Sequence, residues 1–260
     1  MSLTRLELHG DHGDVAELVL DAPPLNLFTP EVCDDLRAAL TKVPPHARVL
    51  LLRAEGKAFC AGVDVSWFTR AQDAAEGSAL MSELLALTHA LEALAMPTLA
   101  VVHGLNLTIG LELALACDLM WASEGARMGL VETTVGLTPG AGGTQRLVAR
   151  CGAARAADLV ITGRIATATE LHAWGVVNEL RPAATLLAEA RAYAATLATG
   201  ATTAMALGKE LIRVARDHGL AAADAATAEI SGRAFDTEDL RIGVASLLAE
   251  GPGKAVYTGR

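Results

Sequence analysis

Apolar and polar positions along the chain alternate in short runs, punctuated by glycine, proline and charge. Arg5-Leu6-Glu7-Leu8-His9 and Val15-Ala16-Glu17-Leu18-Val19-Leu20 are split by Gly10 to Gly13, which predicts a hairpin. Pro23-Pro24-Leu25-Asn26 ends the second strand. Thr29 then caps a helix that has Pro30 at its first position and Glu31 in its first turn. Arg48–Arg53 reads as a buried strand closed by Glu55-Gly56, and a helix is expected from near Ser66. Leu80, Leu84, Leu87, Leu91 and Leu94 recur at spacings of 4, 3, 4 and 3, the apolar face of a helix stopped by Pro97.

Thr98–Val102 is the next buried strand. Strand-then-helix pairs follow over Leu119–Ser123 with Thr144–Cys151, and over Leu159–Thr162 with Thr167–Trp174. This β-β-α rhythm predicts an α/β core of stacked sheet turns backed by helices over residues 1–199. From about Ala183 strands cease. An Ala-rich helical pattern, broken at Gly200, His218-Gly219 and Phe235-Asp236, predicts a helical appendage over 200–260. No linker separates the two parts, and no sequence repeat of fixed period occurs.

Composition narrows the possible roles. Hydrophobic residues make up 52% of the 260, but aromatics only 3%, so the apolar excess is Ala, Leu and Val. That suits helices packed closely on strands and is compatible with buried subunit interfaces. A net charge of −9 disfavours a nucleic-acid surface, which needs a basic face. Cys33, Cys60, Cys117 and Cys151 show no C-x-x-C or metal-ligand spacing and read as reduced, buried thiols. Met1–Arg5 runs straight into a strand pattern without the apolar core of a signal peptide. The most apolar stretch, Pro97–Leu119, is interrupted by His103, Asn106 and Glu112, which argues against a membrane span. A soluble, cytoplasmic protein is expected.

Three stretches carry candidate chemistry. In Lys57-Ala58-Phe59-Cys60-Ala61-Gly62-Val63-Asp64-Val65, Gly62 permits an unusual backbone angle. Peptide N–H groups there can point into a pocket; the plainer reading is a tight strand-to-helix turn. Gly104–Asp118 reads as a strand feeding a helix that begins near Thr108, with Glu112 one turn in among Leu111, Leu113, Leu115 and Ala116. Apolar surroundings raise a carboxyl pKa and suit proton transfer near neutrality, although Glu112 could equally occupy an exposed stripe. Glu132 taken singly reads as a surface charge. Pro139-Gly140-Ala141-Gly142-Gly143-Thr144 fits neither a P-loop nor G-x-G-x-x-G, and serves as a loop opening the next helix.

In combination, Lys57–Val65, Gly104–Asp118, Glu132–Leu147 with its PGAGGTQRL run, and the tail segments Phe235–Asp239 and Tyr257–Arg260 resemble the enoyl-CoA hydratase/isomerase (crotonase) superfamily. The resemblance implies a crotonase-like spiral of β-β-α turns, with a C-terminal helical region that forms trimers or dimers of trimers. It implies an acyl-CoA thioester substrate whose oxygen lies between the backbone N–H groups of Val63 and Ile109. Glu112 and Glu132 match the two hydratase glutamates, one handling water and the other a proton. Lys57, Ala58, Ala61, Gly62, Asp64, Val65 and Gly140 match substrate or CoA contacts, and Lys254 or Arg260 are further basic candidates. No metal and no cofactor is implied, coenzyme A entering as part of the substrate. Thr108-Ile109-Gly110 replaces the family's usual glycine triplet; every N–H is kept, while the added side chains are expected to narrow the cleft or shift the backbone. Related outcomes on the same enolate are Δ3-Δ2 isomerisation, a specialised dehydration, or an idle CoA-binding homologue.

Overall fold

The structure is a computed structural model that describes residues 3–10 and 13–260. Met1 and Ser2, and Asp11 and His12 of the hairpin link, lie outside the described residues. β1 (Thr4–His9) and β2 (Val15–Leu20) form the expected antiparallel hairpin, Thr4 opposite Leu20. α1 (Pro30–Thr41) starts where Thr29 accepts a hydrogen bond from Val32 N. β3 (Val49–Ala54), α2 (Ala74–Glu92), β4 (Thr98–Val102), β5 (Leu105–Leu107) and α3 (Ile109–Ala116) follow. Next come β6 (Leu119–Ser123), β7 (Arg127–Gly129), α4 (Gly143–Cys151), α5 (Ala153–Thr162), β8 (Ala166–Thr167), α6 (Ala168–Ala173) and β9 (Glu179–Arg181). Four helices complete the chain: α7 (Leu186–Ala198), α8 (Thr202–His218), α9 (Leu220–Gly232) and α10 (Glu238–Glu250).

Two sheets define the spiral. The larger has the order β1-β2-β3-β4-β6-β9 and is parallel beyond the hairpin; the smaller is β5-β7-β8. An isolated parallel bridge between Cys60 and Asn106 extends the smaller sheet back to the turn after β3. The chain thus repeats one path: a long strand in the large sheet, a short strand in the small one, then a helix. The large sheet is covered on both faces, which explains its near-continuous apolar strands. Leu50, Leu52, Ala100 and Val102 face the main core, whereas Val49, Leu51, Leu99 and Val101 pack on α7. Leu186, Ala190, Ala194 and Ala198 recur every fourth residue along α7 and form its buried stripe. Small side chains there let the helix lie close on the sheet.

One assignment is corrected. Leu159–Thr162 is not a strand but the last turn of α5. Its β-branched residues and the following Gly163 suggest a strand end, yet Ala156 and Leu159 are the buried pair at helical spacing and Gly163 is the left-handed cap. The helix expected near Ser66 opens as a 3-10 turn, Val65–Arg70, before α2. Asp64 caps that turn through Ser66 N at 2.9 Å. Among the described residues no helix is long and apolar enough to cross a membrane.

Candidate active site

The site assembles at the start of α3. Asn26, buried and at φ 53°, donates to Glu55 O and Ala58 O and accepts from Ala22 N, each at 2.8 Å. It thereby fixes the turn that follows β3. Phe28 N donates to Gly62 O (2.8 Å) and Phe28 O accepts from Asp64 N (2.9 Å). These bonds bracket Val63, whose own N–H has no protein acceptor among the described residues. Cys60 N to Leu105 O (3.2 Å) and Leu107 N to Cys60 O (2.8 Å) join this turn to β5, and hence to α3.

Ile109 is the first residue of α3, so its N–H is one of those a helix leaves without an internal partner. The Ile109 side chain is fully buried in the core and does not narrow a cleft. Thr108 takes the backbone conformation a glycine would take, φ 50° and ψ −123°. The turn after β3 and the start of α3 therefore approach closely: a Cβ at Gly62, itself at φ +114°, would lie 3.0 Å from Thr108 Oγ1.

Glu112 is 2% exposed, which rules out the exposed-stripe reading. Its Oε1 accepts from Ala141 N at 2.9 Å and Gly143 N at 2.8 Å. The glycine-rich run therefore does more than open α4, because two of its peptide N–H groups hold the carboxylate. Gly143 is required here, since a Cβ would stand 2.8 Å from Glu112 Cγ. Burial pushes Glu112 up to about 7, against the opposing pull of those two N–H groups and of Arg146.

Arg146 holds the run itself. It donates to Ala141 O and Gly142 O at 3.1 Å each and pairs with Glu92 through Nε (3.1 Å) and Nη2 (2.5 Å). Neither Arg146 nor Asn26 is legible as a site residue by type. The available signals were an arginine in register with PGAGG and an asparagine after Pro-Pro-Leu.

Glu132 opens a 3-10 turn, Glu132–Val135, and is 8% exposed, not a surface charge. Its Oε2 is buried without a protein partner among the described residues. Burial first, and the nearby Glu112 charge second, raise it to about 8. A buried pair of carboxyls whose pKa values are raised toward neutrality is an arrangement suited to proton transfer.

The remaining expected contacts are dispersed around this centre. Lys57 and Val65 are exposed at the turn, Ala58 is buried, and Ala61 and Asp64 are half-buried. Gly140 is half-buried, with Met81 Sδ where its Cβ would be. Lys254 and Arg260 are exposed, and Arg260 O accepts from Asp239 N at 3.0 Å. His103 bonds Gly56 O at 2.9 Å, and Trp67 is core. All four cysteines are free, Cys33, Cys60 and Cys117 being buried. A cavity of about 800 Å³ between the end of α2, α4 and α8 touches Arg146 from behind and includes neither Glu112 nor Glu132.

Comparison with known proteins bears on family and fold. The family profile described as Enoyl-CoA hydratase/isomerase matches residues 10–254. A Mycobacterium bovis protein described as a probable enoyl-CoA hydratase is 33% identical over 237 residues, 90% of this chain and 91% of its own length. A Bacillus subtilis protein with the same description is 31% identical over 90% of this chain and 92% of its length. The crystal structure of enoyl-CoA hydratase from Bacillus anthracis superposes with a TM-score of 0.90 at 28% identity, covering 99% of this chain and 100% of that one.

Proposed function

The chain belongs to the enoyl-CoA hydratase/isomerase family, and on that premise we propose that it is an enoyl-CoA hydratase. The reaction is reversible syn addition of water to a trans-2-enoyl-CoA, giving the 3-hydroxyacyl-CoA. The observation that carries this reading is the buried carboxyl pair, with Glu112 clamped by Ala141 and Gly143 N–H and Glu132 retaining an unpartnered buried oxygen.

In this mechanism the thioester oxygen accepts hydrogen bonds from Val63 N and Ile109 N, which stabilise the negative charge that develops as an enolate. One such donor typically contributes ~10²–10³ in rate. Glu112, whose Oε1 accepts from the Ala141 and Gly143 N–H groups, is assigned as the ionised partner. It removes a proton from water as the water oxygen bonds to C3. Glu132 holds its proton at neutral pH and delivers it to C2. One water is consumed, and the two carboxyls end with exchanged protonation states, which return through solvent. An isomerase needs only one carboxyl to shuttle a proton between carbons, so a second buried one favours hydration.

Residues 200–260 are proposed as the trimerisation region, and Lys57 with the exposed tail cations Lys254 and Arg260 as the CoA-phosphate contacts. The functional assignment is tested by mass spectrometry of crotonyl-CoA and trans-3-hexenoyl-CoA incubated with the protein. A gain of one water on crotonyl-CoA supports hydration. Mass-neutral conversion of the 3-enoyl substrate, with crotonyl-CoA untouched, would assign an isomerase instead.

A further inference from the structure

Thr108 bears two costs that a glycine would avoid. Its φ of 50° with ψ −123° lies where side-chain-bearing residues rarely sit, a strained backbone conformation. Its Oγ1 is also buried with no protein hydrogen-bond partner among the described residues, and an unmet buried hydroxyl is destabilising. The main chain at this residue is fully engaged. Thr108 N donates to Gly129 O (2.9 Å) and Thr108 O accepts from Glu112 N (3.0 Å), so the segment is anchored in place.

The hydroxyl's position connects these observations. Oγ1 is 3.0 Å from where a Gly62 Cβ would be. Gly62 immediately precedes Val63, and Thr108 immediately precedes Ile109. The hydroxyl therefore lies beside Gly62, next to the residue that supplies one assigned N–H, and belongs to the residue that precedes the other. Backbone, burial and placement all concern the same atom.

We propose that Thr108 Oγ1–H is a third hydrogen-bond donor to the thioester oxygen of the bound acyl-CoA. The inference rests on the acyl-CoA reading above. A thioester oxygen can only accept, so the hydroxyl donates; Thr108 forms and breaks no covalent bond. Its orphan state in the free protein is resolved by substrate. The donor acts most strongly as the enolate develops, so its removal lowers kcat more than it raises KM.

The test compares wild type with Thr108→Val, Thr108→Ser and Thr108→Gly. Val keeps the shape without the hydroxyl, Ser keeps the hydroxyl, and Gly removes both hydroxyl and strain, so it folds even if Val does not. Each is loaded with [1-¹³C]butyryl-CoA, a saturated and unreactive probe, and the carbonyl ¹³C shift is read by NMR beside kcat and KM for crotonyl-CoA. The expected result is a downfield carbonyl shift in wild type and Ser that diminishes in Val and Gly. With it, kcat should fall about 10²-fold in Val and Gly, while KM changes by less than about threefold. Val and Gly that bind the probe, polarise it as wild type does and turn over at the wild-type rate would overturn this assignment alone. Wild type that fails to bind butyryl-CoA would overturn the acyl-CoA reading and this inference with it.

Discussion

Two carboxyl groups in one low-dielectric pocket cannot both ionise cheaply, and burial raises the pKa of both. The folded-state pKa of Glu132, about 8, lies above the ordinary value of 4.5. The fold therefore favours the protonated form. That stabilisation is fully present below pH 4.5 and is lost as pH rises through 8. Glu132→Gln, which cannot ionise, is expected to raise Tm relative to wild type at pH 9 by a few °C, roughly 1–2 kcal/mol, and to change it little at pH 5. Thermal melts at the two pH values check this; an equal offset at both would contradict it. The residue scale also marks how far sequence reading reaches. Glu112 sits between leucines on an apolar helix, and its burial could be anticipated. Glu132 is followed by Thr133 and Thr134, both exposed; its burial arises from α5 packing on this 3-10 turn, a long-range contact that local composition does not encode.

At the scale of elements, the site depends on how one loop is held against one helix. The PGAGG run reads in sequence as a helix opening, which it is. Its second role appears only once α3 brings Glu112 beneath Ala141 and Gly143. Arg146 fastens the run to Glu92, and Glu92 is also paired with Arg216 at 2.6 Å. Removing Arg146 therefore leaves no uncompensated buried charge. Arg146→Met is expected to loosen the two N–H donors and to remove a nearby cation, both of which keep Glu112 down. The acidic limb of the kcat/KM profile should move to higher pH and kcat should fall by about 10-fold or more. A pH-rate profile checks this, and an unmoved acidic limb would contradict the positioning role.

A different pin fixes the sheet to its outer helix. Glu17 on β2, wholly buried, meets Arg53 (2.8 Å) and Arg191 of α7 (2.5 Å), and these guanidinium groups hold it down at about 2 despite burial. Because this pKa is depressed, the linkage runs opposite to that of Glu132: the stability is present above pH 4.5 and lost as pH falls toward 2. Arg53 is a charge inside a strand that reads as apolar, and Glu17's other partner, Arg191 on α7, is 174 residues from it in the chain. The hairpin, the leucine helix and the helix caps follow from local rules, but this pairing does not.

Over the whole molecule, the spiral is what brings distant motifs together. Each turn of chain returns to the same small sheet, so the segments at 60, 106 and 128 lie side by side and the turns at Gly62 and Thr108 come close together. The β-β-α rhythm was legible because each long strand is a short apolar run; the bridge at Cys60 was not, since one residue pair leaves no periodicity. The C-terminal part is tied back to the core. Arg48 donates to Gly200 O (2.6 Å) and Tyr257 O (3.2 Å), while Asp239 accepts from Thr258 N and Gly259 N.

Helices α8 to α10, with the 3-10 turn Arg233–Asp236 between the last two, nevertheless expose Ile212, Leu220, Phe235 and Leu248, each more than two-thirds accessible. Exposed apolar side chains in the proposed trimerisation region are what an association surface would present. We predict a mass of three chains, or six, by light scattering, and charged substitutions at Phe235 and Leu248 should lower it; a wild-type monomer would contradict the trimer.

The central claim is hydration by the Glu112–Glu132 pair, and the most direct measurement follows the enoyl-thioester absorbance of crotonyl-CoA with wild type, Glu112→Gln and Glu132→Gln. The account predicts rapid loss of the band with wild type, and a fall of about 10²-fold or more with either substitution, each variant still binding butyryl-CoA. Wild type that binds acyl-CoA and leaves the band intact, or a single-glutamine variant that hydrates at the wild-type rate, would contradict it.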